Sequence, residues 1–167
     1  MLDDVAFMKE ALKEAQEAFQ AGEVPIGAVL VDADGAVVAR AHNMRETWHD
    51  GTAHAEIVAL QEAARKLGRW RLSGLTLYVT VEPCPMCAGA LVMSRVDRVV
   101  YGATDAKAGA CESLFNIVRH PALNHQLEMR AGVLEDECRA VMKRFFKERR
   151  KRGALKKRTN RACDAPE

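Results

Sequence analysis

The chain has 167 residues, 49% hydrophobic and 29% charged, with a net charge of +2. That length supports one domain with its own core, and the composition is that of an ordinary globular protein. No apolar run approaches the roughly 20 residues of a membrane-spanning helix. The charge is unevenly placed. Residues 1–142 carry 14 Lys and Arg against 20 Asp and Glu, net −6, whereas residues 143–167 carry 11 against 3, net +8. An acidic body with a strongly basic end suits either a polyanionic partner or a solubilising tail.

The N-terminal Met1-Leu2-Asp3-Asp4 lacks the basic and apolar regions of a signal peptide, so a cytoplasmic protein is expected. The five cysteines, Cys84, Cys87, Cys111, Cys138 and Cys163, are odd in number, which argues against a disulfide framework. Cys84 and Cys87 read as a metal or redox pair. Cys111 and Cys138 read as small apolar fillers, and Cys163 has no assigned role.

Asp3 to Ala21 places Met8, Leu12, Ala15 and Phe19 at helical spacing, with Asp3 or Asp4 to cap the start and Gly22 to end it. Val24 to Val31 is apolar and β-branched, Asp34-Gly35 signals a hairpin turn, and Val37 to Ala41 returns antiparallel. His42 to Gly51 is a polar loop. Thr52 is placed to cap a helix reaching about Leu67. Leu75 to Val81 reads as a buried strand, Pro83 to Val96 as a helix with Pro85 in its first turn, and Arg98 to Ala103 as a strand. Strand, helix and strand in so short a span imply a parallel crossover. Thr104 to Leu127 is irregular, with a short helix expected around Ser113 to Val118. Gln126 to Ala131 reads as a fifth strand. Glu135 to Arg152 is the last helix, with Cys138, Val141, Met142, Phe145 and Phe146 as its apolar stripe. The sum is an α/β protein of three layers, α/β/α, around a five-stranded mixed sheet. One domain spans 1–152, followed by a flexible basic tail, 153–167.

Two stretches carry chemistry: Thr52-Ala53-His54-Ala55-Glu56 and Glu82-Pro83-Cys84-Pro85-Met86-Cys87. A zinc ribbon would need a second Cys/His pair of similar spacing, which the chain lacks. Cys84 at a helix cap and Cys87 in its first turn face one side, where the helix N-terminus favours thiolates. With His54 they make three zinc ligands, leaving one position open for water, the catalytic rather than the structural pattern. Glu56 can then move protons beside the metal. Two residues apart on a helix point about 200° apart, so His54 and Glu56 converge only on a metal near the helix end. Taken singly, His54 reads as a capping or core histidine, Glu56 as a solvated carboxylate and Asn43 as a turn asparagine.

His54-Ala55-Glu56 with Pro83-Cys84-Pro85-Met86-Cys87 resembles the zinc-dependent nucleoside and nucleobase deaminases. Five further stretches narrow the resemblance to bacterial tRNA adenosine deaminases, over residues 5–152. They are Glu23-Val24-Pro25-Ile26-Gly27-Ala28-Val29, Met86-Cys87-Ala88-Gly89-Ala90, Tyr101-Gly102-Ala103-Thr104-Asp105-Ala106-Lys107, Leu123-Asn124-His125 and Asp136-Glu137-Cys138. The resemblance implies a cytidine-deaminase-like fold, one zinc ion per subunit and a homodimer. It implies hydrolytic conversion of adenosine to inosine at the wobble position of a tRNA anticodon stem-loop, usually that of tRNA-Arg. Residue by residue, it implies His54, Cys84 and Cys87 as ligands, Glu56 as proton shuttle and Asn43 as the residue that holds the flipped base. It also implies Asp105 in an RNA-facing loop and Phe146 and Arg149 beside the anticodon nucleotides, with Phe145 and Phe146 interchangeable in register. A guanine deaminase and a zinc-stabilised RNA-binding module are the two rival readings.

Overall fold

A computed structural model describes residues 1–163, in the order α1 (Asp4–Gln20), β1 (Gly27–Val31), β2 (Val37–His42), α2 (Ala55–Leu67), β3 (Thr76–Val81), α3 (Pro85–Met93), β4 (Arg98–Ala103), β5 (Glu128–Arg130) and α4 (Glu135–Cys163). The strands form one five-stranded sheet in the order β2-β1-β3-β4-β5. β1 pairs antiparallel with β2 and β3, whereas β3, β4 and β5 run parallel. The mixed sheet and the parallel β3–α3–β4 crossover are those expected from the sequence.

Side chains alternate across each strand, so Ala28 and Leu30 of β1 face one layer and Val29 and Val31 the other. α2 and α3 cover the first face with Ala59, Leu60, Ala63, Ala88 and Leu91. α1 and α4 cover the second with Met8, Ala11 and Cys138. Each large aliphatic side chain so buried contributes about 1.5–3 kcal/mol. α1 buries Met8, Ala11, Ala15 and Ala18, a face rotated from the expected Met8, Leu12, Ala15, Phe19 stripe. The reason is close approach: a Cβ at Gly27 would overlap the backbone of Ala11 and Ala15, so only small residues fit between α1 and β1. Gly102 plays the same part for α4, since a Cβ there would overlap the Cys138 side chain.

Several boundaries differ from the sequence reading, α3 among them, which spans Pro85–Met93 rather than Pro83 to Val96. β1 starts at Gly27 rather than Val24, because Pro25 has no N–H to give and Gly27 N donates instead to Thr80 Oγ1 at 3.2 Å. α2 starts at Ala55, with His54 rather than Thr52 at the cap. No helix forms over Ser113 to Val118. The amides of Cys111, Glu112 and Ser113 donate to the Glu82 carboxylate at 3.2, 3.1 and 3.0 Å, which bends the segment into turns. The last helix does not stop at Arg152 but runs to Cys163. Lys, Arg, Leu and Ala are good helix formers, and the single Gly153 costs only about 1 kcal/mol. Residues 153–163 therefore continue α4 rather than form a separate tail, and 164–167 lie outside the described residues. Among the described residues no helix is long and apolar enough to cross a membrane.

Candidate active site

α2 and α3 lie on the same face of the sheet, and their N-termini bring the predicted metal ligands together. His54 caps α2 and Cys84 caps α3, both with extended backbone and neither with a side-chain cap hydrogen bond. A capping residue ordinarily spends its side chain on the helix amides; here both side chains are free to aim elsewhere. They aim at each other. His54 Nδ1 lies 3.6 Å from Cys84 Sγ and 3.6 Å from Cys87 Sγ, and one donor atom from each of the three lies within 4.8 Å of the others. A tetrahedral zinc with bonds of about 2.0–2.1 Å to nitrogen and about 2.3 Å to sulfur would set N and S about 3.6 Å apart. The three side chains fit such an ion.

The two sulfurs are pushed in opposite directions. The Cys87 thiol beside it holds Cys84 well below the ordinary thiol range, at about 4, against the upward push of burial and with further help from His54. The hydrogen bond to Cys84, with burial, pushes the Cys87 thiol up, and a bound cation would displace its proton.

Glu56 is only 4% exposed and forms no ion pair among the described residues. Burial pushes its carboxyl pKa up. It lies in the first turn of α2, two residues past the His54 cap. Both line a pocket of about 80 Å³ with Val24, Ile26, Asn43, Arg45 and Ala55. Asn43 is 6% exposed. Its Oδ1 accepts from Arg45 N at 3.0 Å, and its Nδ2 donates to the Val24 carbonyl at 3.4 Å. A side-chain amide has two acceptor lone pairs and two donor hydrogens, so one of each stays free for a ligand.

Residues 2–150 match the MafB19-like deaminase family model. The chain is 55% identical over 152 residues to the tRNA-specific adenosine deaminase of Bacillus subtilis (strain 168), covering 91% of this chain and 94% of that protein. The chain belongs to the tRNA-specific adenosine deaminases. Among solved structures, one from a study of A-to-I editing by tRNA:A34 deaminases at the wobble position is similar at a TM-score of 0.78 and 46% identity, covering 81% of this chain and 98% of that one. A guanine deaminase from Bacillus subtilis is similar at a TM-score of 0.60 and 36% identity, over 76% of this chain and 83% of that one. The tRNA adenosine deaminase resemblance and the cytidine-deaminase-like fold it implied both stand.

The outer residues are placed differently from the inner ones. Arg149 lines a 400 Å³ cleft with Phe19, Val24, Glu46, Phe145 and Arg152, and Val24 also belongs to the inner pocket. Phe145 is buried against Phe19, ring centroids 5.6 Å apart. Phe146 is the more exposed of the two, at 37%. Phe146 borders a second groove of 710 Å³ with Lys107, Lys143, Lys147 and Arg150. The Asp105 carboxylate accepts from Lys107 N at 2.9 Å and Ala108 N at 3.2 Å, shaping the loop after β4. Glu82, Glu23 and Arg45 went unassigned in the sequence. Each of the two glutamates is a lone carboxylate beside an otherwise apolar run, which marks it without naming its distant partners.

Proposed function

We propose that the chain converts adenosine to inosine at the wobble position of a tRNA anticodon, with tRNA-Arg as the substrate. The observation that carries this is the pocket in which Asn43 and Glu56 meet His54, in a chain of the tRNA-specific adenosine deaminases. A zinc ion held by His54, Cys84 and Cys87, one per subunit, supplies the Lewis acidity that makes water a nucleophile near neutral pH. The remaining work falls to the chain's own side chains. Asn43 offers its free donor and acceptor to the edge of the extruded base. Unstacking a base in a single-stranded loop costs only about a few kcal/mol. As water adds at C6, the Glu56 carboxylate takes one of its protons and delivers it to N1, then carries the remaining hydroxyl proton to the departing amine as the C6 carbonyl forms. Ammonia leaves and inosine remains.

Substrate size is read from the outer surface. Arg149 along the cleft, and Phe146 with Lys107 beside the groove, suit flanking nucleotides and phosphates, and Asp105 keeps the Lys107 loop in shape. Deleting residues 153–167 should weaken stem-loop binding most at low salt; unchanged binding across a salt series would return that end to a solubilising role. The same reading pairs two subunits. α3 carries no charged residue and leaves Met86 and Met93 exposed at 36% and 69%, a stripe that a second copy would cover. Localisation in the cytoplasm, where tRNA and reduced cysteines are found, completes the reading.

The deciding assay incubates zinc-loaded protein with tRNA-Arg and scores inosine at the wobble position; no inosine with zinc bound would end the proposal. The likeness to a guanine deaminase makes free guanine the control substrate, and its deamination without that of an anticodon stem-loop would favour the second reading.

A further inference from the structure

Behind the pocket wall lies a second buried carboxylate that contacts neither the zinc ligands nor the pocket. Glu23 is 0% exposed, at the end of the turn that leaves α1 through Gly22 (φ 78). Its two oxygens accept one backbone amide each, Glu46 N at 2.9 Å and Thr47 N at 2.9 Å. The segment after Asn43 makes a single helical turn, with Trp48 N donating to the Met44 carbonyl at 2.9 Å and Asp50 N to the Arg45 carbonyl at 3.1 Å. The amides of Glu46 and Thr47 are the leading donors of that turn, which no carbonyl within it can satisfy. Glu23 caps it from across the pocket wall.

The strand approach is tied to the same loop twice more. Asn43 N donates to the Ile26 carbonyl at 3.1 Å, and Asn43 Nδ2 to the Val24 carbonyl. Residues 23–26 and 43–47 thus form one clamped wall. It has the Glu56 pocket on one side, through Val24, Asn43 and Arg45, and the outer cleft on the other, through Val24 and Glu46. The hydrogen bonds that Glu23 accepts both come from this segment of the wall.

We propose that Glu23 is a positioning residue that fixes this shared wall and, through it, holds Asn43 in register with Glu56. The inference rests on the reading of Asn43 as the residue that holds the base. Glutamine at position 23 keeps the shape but can accept only one of the two amides; its NH2 faces the other donor to donor, so the loop must shift. A misplacement of about 1 Å at a positioning contact costs on the order of 100-fold in turnover.

The test is a double-mutant cycle on the full zinc-loaded chain with an anticodon stem-loop: Glu23→Gln, Asn43→Ala and both together. Glu23→Gln should keep stoichiometric zinc and lose about 10- to 100-fold in kcat per zinc-loaded site. In the Asn43→Ala background it should cost less than about 3-fold more, since residues that act as a unit are not additive. A purely structural role would lower the folded or zinc-loaded fraction and leave kcat per loaded site unchanged. Full turnover by Asn43→Ala overturns the base-holding reading itself. Loss in Asn43→Ala with full turnover by Glu23→Gln, or losses that multiply, overturns the role of Glu23 alone. Should Glu23→Gln not fold, amide exchange in the wild-type protein decides: Glu46 and Thr47 are expected to be protected, and exchange at the rate of a free loop overturns the proposal.

Discussion

Two buried carboxylates on opposite faces of the sheet differ in what surrounds them, and the difference suits one to holding and the other to the proposed chemistry. Asp4 of α1 and Glu56 of α2 are 6% and 4% exposed. Asp4 accepts from the Tyr78 hydroxyl at 2.7 Å, from Arg98 at 2.7 and 2.9 Å and from Arg130 at 2.5 Å, so that it ties α1 to β3, β4 and β5. Burial pushes its pKa up, but the hydrogen bonds from Arg98, Tyr78 and Arg130 outweigh that and hold it at about 2. Glu56 forms no ion pair among the described residues, and burial raises its pKa. A carboxylate that holds the fold is neutralised by fixed cations and stays ionised. The carboxylate proposed as the proton shuttle is held by no such fixed pair, and burial favours its protonated form.

The largest expected effect comes from the unpaired member. Glu56→Gln keeps the shape and removes the proton carrier, so turnover should fall by about 10²–10⁴-fold with zinc content and melting temperature preserved. Full activity in a stem-loop assay would remove Glu56 from the mechanism and dissolve the contrast. Cys87→Ala acts next to it. With one of three ligands gone, zinc measured by atomic emission should fall well below one per chain, and inosine formation with it. A variant that retained tight zinc would show that the ligand set is wrong.

The inner site was legible in the sequence because its residues are close in sequence within two stretches and sit at helix starts, where spacing translates directly into direction. The sheet was legible for a similar reason: β-branched runs and the Asp34-Gly35 turn are local signals. What escaped was long-range. Glu82 sits in a quoted motif, yet its five donors come from Asp105, Cys111, Glu112 and Ser113, more than twenty residues later. No local rule foresees that a carboxylate will unmake the helix expected over Ser113 to Val118. Glu23 is the same case with the loop at Glu46 and Thr47. The end of α4 was missed for the opposite reason. A basic run around Gly153 looks like a tail by charge, but its residues are individually good helix formers.

The smaller effects belong to the paired member. Asp4→Asn should leave stem-loop turnover unchanged and lower stability by about 1–3 kcal/mol, the cost of leaving buried donors poorly matched. Lost turnover at unchanged stability would mean the two carboxylates are not separate in function. The smallest signal, and the finest test, is its pH dependence. The Asp4 pKa is lowered in the folded state from 3.8 to about 2, so its contribution is fully present above pH 3.8 and is lost as the pH falls through about 2. Urea midpoints of the wild type and Asp4→Asn should therefore differ by a constant amount from neutral pH down to about 4, and the gap should close on further acidification. A gap that narrowed already between pH 7 and 5 would place the titrating group elsewhere, because an acid paired with Arg98 and Arg130 has no proton to take up in that range.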